Sequence, residues 1–322
     1  MIFSGRELEP RAAAQMQAWR RPGWVVAVWG FRTLLALLVA GPVAGAAGAL
    51  VSGYPRGDAE LFDGGAVMLV ELARVAAPLV PALTAQAGAI FALAAVVGLV
   101  PMAALVVAIG HRGPLRIGAV LGRAAERMGA LALLLGVALL VQAFCLVAPV
   151  LGAESVIGHM GWAPPREDVA RTVGIVVGVA LALVAGVVHD LARVAAVQRR
   201  LGFYDAVAMG LKTFGRSFGR ALGGYAGRAA LTGLVLALGY DLVTRLPIEG
   251  RGTVAMPWVL HQVALLLAVA LRASWLAAAL RLVEARAPRL SELDLMPLDE
   301  ADLEPATAEE LAAASSRRPG TA

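Results

Sequence analysis

Lysine is almost missing from this chain of 322 residues. Of its 28 basic side chains, 27 are arginine and Lys212 stands alone. Cysteine is as scarce. Cys145 is single, so no disulfide can close within the chain and no CxxC metal site exists. The four histidines are His111, His159, His189 and His261, and none has a second histidine three or four residues away. HExxH is absent too, which removes the common zinc motifs, and without GxxxxGK there is no P-loop. No metal, cofactor or catalytic residue is therefore assigned. Charge is the last scarcity: 16% of residues are charged, against about a quarter in soluble domains.

What replaces charge is apolar. The chain is 59% hydrophobic with a mean hydropathy of +0.76, and the excess lies in long runs. That pattern predicts an all-α, polytopic membrane protein, because backbone polar groups in lipid must be satisfied within their own segment. Six spans are read: one whose fully apolar part is Thr33–Val51, then Ala82–Ile109, Met128–Leu151, Val169–Val188, Ala229–Leu246 and Pro257–Leu280. Pro101 should kink the second. Trp19, Trp24 and Trp29 mark an interface at the start of the first, and Arg32 is within reach of it. No cleavable signal peptide is read, and the first span is expected to act as an uncleaved anchor. Residues 1–23 form an N-terminal segment, 24–286 the membrane domain and 287–322 an acidic tail. Ser52–Pro81 is expected as an outer-surface loop.

The net charge of +5 conceals a split of +11 over residues 1–290 and −6 over 291–322. The arginines flank spans, as the positive-inside rule and anionic lipid require, and do not suggest nucleic-acid binding. Four Lys/Arg precede the first span, four lie in His111–Arg127 and seven in Asp190–Arg228. This predicts both termini in the cytoplasm of a bacterial inner (plasma) membrane. Both connections read as basic amphipathic surface helices, before spans three and five. Arg116, Arg123 and Arg127 form the basic face of one; Lys212, Arg216 and Arg220 form that of the other, beside an apolar face of Val207, Leu211, Phe214 and Phe218. All six basic residues are expected to face anionic lipid.

Small residues recur every four positions in two ladders, which predicts close helix contact. One is Gly174, Gly178, Ala182 and Gly186; the other is Gly215, Gly219, Gly223 and Gly227. The second ladder contains Gly215-Arg216-Ser217-Phe218-Gly219, a G-x-S-x-G match. That motif needs a strand before its serine, and a helical setting makes the match incidental.

Ionisable groups inside spans are costly and point to function. Arg272 lies eight residues before Leu280, about 12 Å along a helix, and needs a partner or a wet cavity. Asp190 and Glu284 are the candidates. Arg272 and Asp190 together form the candidate intramembrane polar site. Asp241 and Arg245, four apart, are expected to pair locally, and Gln86, Gln142 and Gln262 are candidates for interhelical hydrogen bonds.

The H-D-L-A-R turn from His189, the G-x-x-x-G-R-A-L-G-x-Y approach from Gly215 through Arg220, Ala221, Leu222, Gly223 and Tyr225, and the arginine-bearing sixth span around Arg272 resemble a group of bacterial six-span proteins of unknown function. More loosely, most of residues 20–285 looks like the membrane domain of some glycerophosphodiester phosphodiesterases. The resemblance implies a placement and transfers no catalytic residue, since the phosphodiesterase barrel is absent. Three functions fit: a non-enzymatic scaffold or accessory subunit of an envelope process, docking a cytoplasmic partner through residues 287–322; a transporter or the membrane half of one; and a lipid-modifying enzyme. The first is the expectation. A wet cavity reaching Arg272 would favour transport, and a packed bundle the scaffold.

Overall fold

A computed structural model describes residues 16–51, 70, 74–111, 115–246 and 255–285. The N-terminal residues 1–15, most of the Ser52–Pro81 loop and the tail 287–322 lie outside the described residues, and with them the tail's docking role. Among the described residues the backbone is almost wholly helical and holds no strand. A 3-10 turn, Ala18–Arg20, leads into α1, Pro22–Val51. Then follow α2, Val80–Val97, and α3, Leu99–Gly110; α4, Ile117–Ala125; α5, Met128–Met160; α6, Pro164–Gln198; α7, Phe203–Arg216; α8, Phe218–Thr244; and α9, Ala255–Glu284. Six segments are long and apolar enough to cross a membrane: Pro22–Ala46, Arg74–Gly110, Met128–Met160, Pro164–Gln198, Phe218–Thr244 and Ala255–Glu284. The chain is an all-α polytopic membrane protein.

The second span breaks at Gly98, three residues before Pro101. The proline ring opposes the carbonyl four residues earlier and removes one N–H, so the disturbance falls in the preceding turn. There the Gly98 N–H reaches the Ala94 carbonyl at 2.7 Å.

Burial divides the bundle along its length. At one end, nearly every residue of α3 and of the last third of α6 is enclosed, together with the inner face of the second half of α9. Val106, Val107, Val194, Val197, Leu276 and Leu280 are at most 1% exposed. Ala18, Val120, Ala124 and Ala206 close this base from the 3-10 turn, α4 and α7. Beyond it, large apolar side chains face outward: Phe91 and Leu93, Leu140 and Phe144, Val173 and Val176, Leu234 and Leu238, Val259 and Val263. In the second span this outward-facing band covers α2, whose 18 residues include none that is buried, about 27 Å of helix and close to the hydrocarbon thickness of a bilayer. Only lipid solvates such a surface without cost, so the band is the part of the spans that hydrocarbon covers.

The two ladders diverge. A Cβ on Gly174 would stand 2.9 Å from the Pro149 carbonyl oxygen, and one on Gly178 would stand 3.1 Å from those of Cys145 and Leu146. Glycine there brings α6 against the α5 backbone. A Cβ on Gly186 would meet Gln142 at 3.2 Å and the Tyr225 hydroxyl at 3.5 Å. Gly215, Gly219, Gly223 and Gly227, by contrast, have nothing within 4 Å of a Cβ position. The expected seam within the chain is corrected: the helix is interrupted at Ser217 (φ −130°, ψ 28°), so Gly215 belongs to α7 and the other three to an open face of α8. Close contact is made by other glycines. A Cβ on Gly210 would lie 2.9 Å from the Ala192 backbone nitrogen, and one on Gly239 would lie 3.1 Å from Ala264 Cβ.

Candidate functional site

Asp190 is 1% exposed and lies just inside the base, next to the lipid-facing band. Its two oxygens are divided between two residues of α9. Oδ1 accepts from Arg272 Nη2 at 2.6 Å, and Oδ2 from Trp275 Nε1 at 2.8 Å. Arg272 and Trp275 are three apart, so both face α6 from one stripe of α9. The same spacing on α6 brings Arg193 Nη1 to 3.8 Å from Oδ1. Arg193 Nη2 donates to His189 Nε2 at 2.6 Å, which puts the imidazole in the neutral form with its proton on Nδ1. That Nδ1 faces the Leu134 carbonyl too loosely for a full hydrogen bond. Tyr225 of α8 places its ring 5.9 Å from the Arg272 guanidinium carbon and packs edge-on against Trp275 at 5.3 Å. Arg32 enters from α1, exposed, near enough to Arg272 and Arg193 for direct repulsion. It makes no hydrogen bond or ion pair among the described residues.

The structure thus joins the two residues of the expected polar site and adds five that sequence reasoning did not connect with it: Arg32, His189, Arg193, Tyr225 and Trp275. A signal for two of them was present, since Asp190/Arg193 and Arg272/Trp275 are both spaced i,i+3. Glu284, the other candidate partner of Arg272, instead accepts from Arg199 at 3.2 and 3.0 Å. Asp241 and Arg245 pair at 2.9 Å, and Gln262 accepts from Thr33 at 2.9 Å.

The basic surface helices sit around the base. Lys212 and Arg216 of α7 and Arg220 of α8 are exposed, as is Arg116 before α4. Arg123 and Arg127 are half-buried, and Arg123 donates to the Gln198 carbonyl at 3.5 Å. The outward orientation expected of these two is corrected, because α4 turns Val120 and Ala124 into the core and carries Arg123 partly in with them. Burial, then the neighbouring Arg200, pushes the Arg123 pKa down. The α7 face is corrected in part. Ala206, Gly210 and Thr213 are its buried residues, and Val207 and Phe214 pack half-buried against the core as expected, while Leu211 and Phe218 remain about half exposed. In α4, Ile117 and Leu121 are also exposed. Each surface helix therefore leaves a large apolar edge next to arginines, the composition of a helix seated in a headgroup layer.

Other candidate groups lie apart from this chemistry. His111, just past α3, is buried, donates from Nδ1 to the Val107 carbonyl at 2.8 Å, and its own carbonyl accepts from Arg21 at 3.1 Å. Burial lowers its pKa, and Arg123 and Arg200 add to that. Ser217 donates to the Thr213 carbonyl at 2.5 Å at the junction of α7 and α8, so its G-x-S-x-G match has neither the strand nor a base. Among the described residues no three His, Cys, Asp or Glu side chains gather as metal ligands would. An apolar groove of about 640 Å³ lies between α5 and α6, lined by Pro149, Trp162 and Gly174 among others, and does not reach Asp190. Compared with known protein families, curated proteins and solved structures, the chain matches none.

Proposed function

We propose that this chain is a non-enzymatic scaffold or accessory subunit of the bacterial inner membrane, with both termini cytoplasmic. Its surface helices rest on anionic headgroups, its tail 287–322 takes a cytoplasmic protein partner, and nucleic acid is not a ligand. One observation carries this reading over the transporter: the base between the Asp190 cluster and the basic end is packed with side chains at most 1% exposed, among them Val194, Val197, Leu276 and Leu280. Protein interiors of that kind hold no water path, and a charged solute at Arg272 would face apolar packing on that side. The basic helices, with their exposed apolar edges, support the attachment to anionic lipid.

The test is a pull-down from native membranes in mild detergent, comparing the full chain with one ending at Pro288, joined to flux measurements on the purified full chain in proteoliposomes. The expected result is one partner at fixed stoichiometry, lost on truncation, and no flux. A partner ATPase held equally by both forms, or solute uptake into the vesicles, overturns the scaffold in favour of transport.

A further inference from the structure

Two guanidinium groups meet one carboxylate where the lipid-facing band ends, and a third stands near them. Arg272 and Arg193 share Asp190, and Arg32 has no counter-ion among the described residues. His189 is engaged as a neutral acceptor and supplies no negative charge. The cluster therefore carries two uncompensated positive charges in a place with little water, which is costly unless an anion completes it.

Two features point to where that anion would sit. Arg193 is 9% exposed, yet its Nε has no hydrogen-bond partner, so a buried donor is left over inside the cluster. Arg272 spends Nη2 on Asp190 but is 28% exposed, and Arg32 beside it is exposed as well. Donors thus remain on the open side, facing the level at which outward Leu267 of α9 and Leu34 of α1 give way to packed core. In a bilayer that is the headgroup level, reached by the phosphate of a lipid whose chains lie along the band.

We propose that Arg32, Arg193 and Arg272 form a binding site for a phosphate group, held by charge-assisted guanidinium hydrogen bonds, with Asp190 and Trp275 fixing Arg272 in place. Trp275 is the built-in reporter, since its indole nitrogen already bonds Asp190. A phosphate that draws on Arg272 changes that bond. The site stands or fails independently of whether the tail docks a partner.

The full chain is placed in phosphatidylcholine nanodiscs doped with increasing phosphatidylglycerol, and Trp fluorescence and retained lipid (by native mass spectrometry) are followed. A second series titrates inorganic phosphate into undoped discs. Saturable phosphatidylglycerol retention is expected, weakened at least about tenfold by Arg32→Gln, a loss of one charge-assisted contact. Because Arg32 is exposed and bonds nothing described, the variant should melt like the wild type. Arg245→Gln, which removes an exposed arginine paired with Asp241 at the other end of α8, should leave retention within about twofold. Saturation by inorganic phosphate alone, lost equally in Arg32→Gln, assigns the site to free phosphate. Equal weakening by both variants means diffuse surface attraction and overturns the site. So does unaltered binding in Arg32→Gln. Loss of the partner on truncation with no phosphate or lipid binding would sink the site and leave the scaffold standing.

Discussion

Neutralising Asp190 should be among the most damaging conservative changes in the membrane domain. Asp190→Asn preserves size and one acceptor, but its amide nitrogen must now face a donor, either Arg272 Nη2 or Trp275 Nε1, and the charge is gone. Each hydrogen bond to the carboxylate is worth about 1.5–3 kcal/mol, and leaving a buried partner uncompensated costs about 3–5 kcal/mol. Arg272 is 28% exposed, so solvent relieves part of that loss and the lower end applies, about 3 kcal/mol. For a chain of this length each kcal/mol moves Tm by about 2–4 °C, so a fall on the order of 10 °C is expected in detergent micelles, followed by size-exclusion recovery after heating. The double variant Asp190→Asn/Arg272→Gln should regain part of the loss, because the orphaned charge leaves with its partner, giving a coupling of about 1–3 kcal/mol. A single variant that melts within about 2 °C of the wild type, or a double variant that melts lower than the single, would refute the idea that this pair holds α6 to α9.

Glycine substitutions should sort by contact and not by spacing. Gly210→Ala is expected to cost about 1–3 kcal/mol, because its Cβ meets Ala192 backbone that cannot yield, whereas Gly219→Leu and Gly223→Leu should leave Tm and elution volume unchanged; a large loss in the latter pair would mean that the open α8 face is covered by something else. His111 makes stability depend on pH. Its folded pKa lies below the ordinary 6.5, so the unfolded chain takes up protons first; stability is full above about 6.5 and falls as pH drops below it toward the folded value. Melting between pH 7.5 and 5 should show that decline in the wild type, and a smaller one in His111→Gln; identical profiles would remove His111 as its source.

Much of the architecture was legible before folding. The apolar runs set six spans and an all-α class because lipid admits no other backbone arrangement for single segments. The arginine-rich connections marked the surface helices, and the excess cost of charge inside spans singled out Arg272 and Asp190, which the structure pairs at 2.6 Å. Spacing served less well where it had to choose a partner. A four-residue glycine repeat says that one helix face is smooth; it does not say what lies against it, and one residue at Ser217 with non-helical dihedrals was enough to detach Gly215 from the α8 face. The contacts that matter at Gly210 and Gly239 follow from where α6 and α9 pass, which no local pattern encodes. Likewise Arg123 was counted with an outward face by periodicity, but the demand of Val120 and Ala124 for the core drew it partly inward.

The sequence by itself determined the class, the six spans and the positions of the basic surface helices, since these depend on composition and on periods within one segment. Only the tertiary structure decided that the even spans end in a packed base, that α1, α6, α8 and α9 bring Arg32, Asp190, Tyr225 and Arg272 together at its edge, and that the charge there is left two positive. Those facts are sums over segments up to 240 residues apart, from Arg32 to Arg272, and a sum of charges in space exists only once the helices have been put side by side.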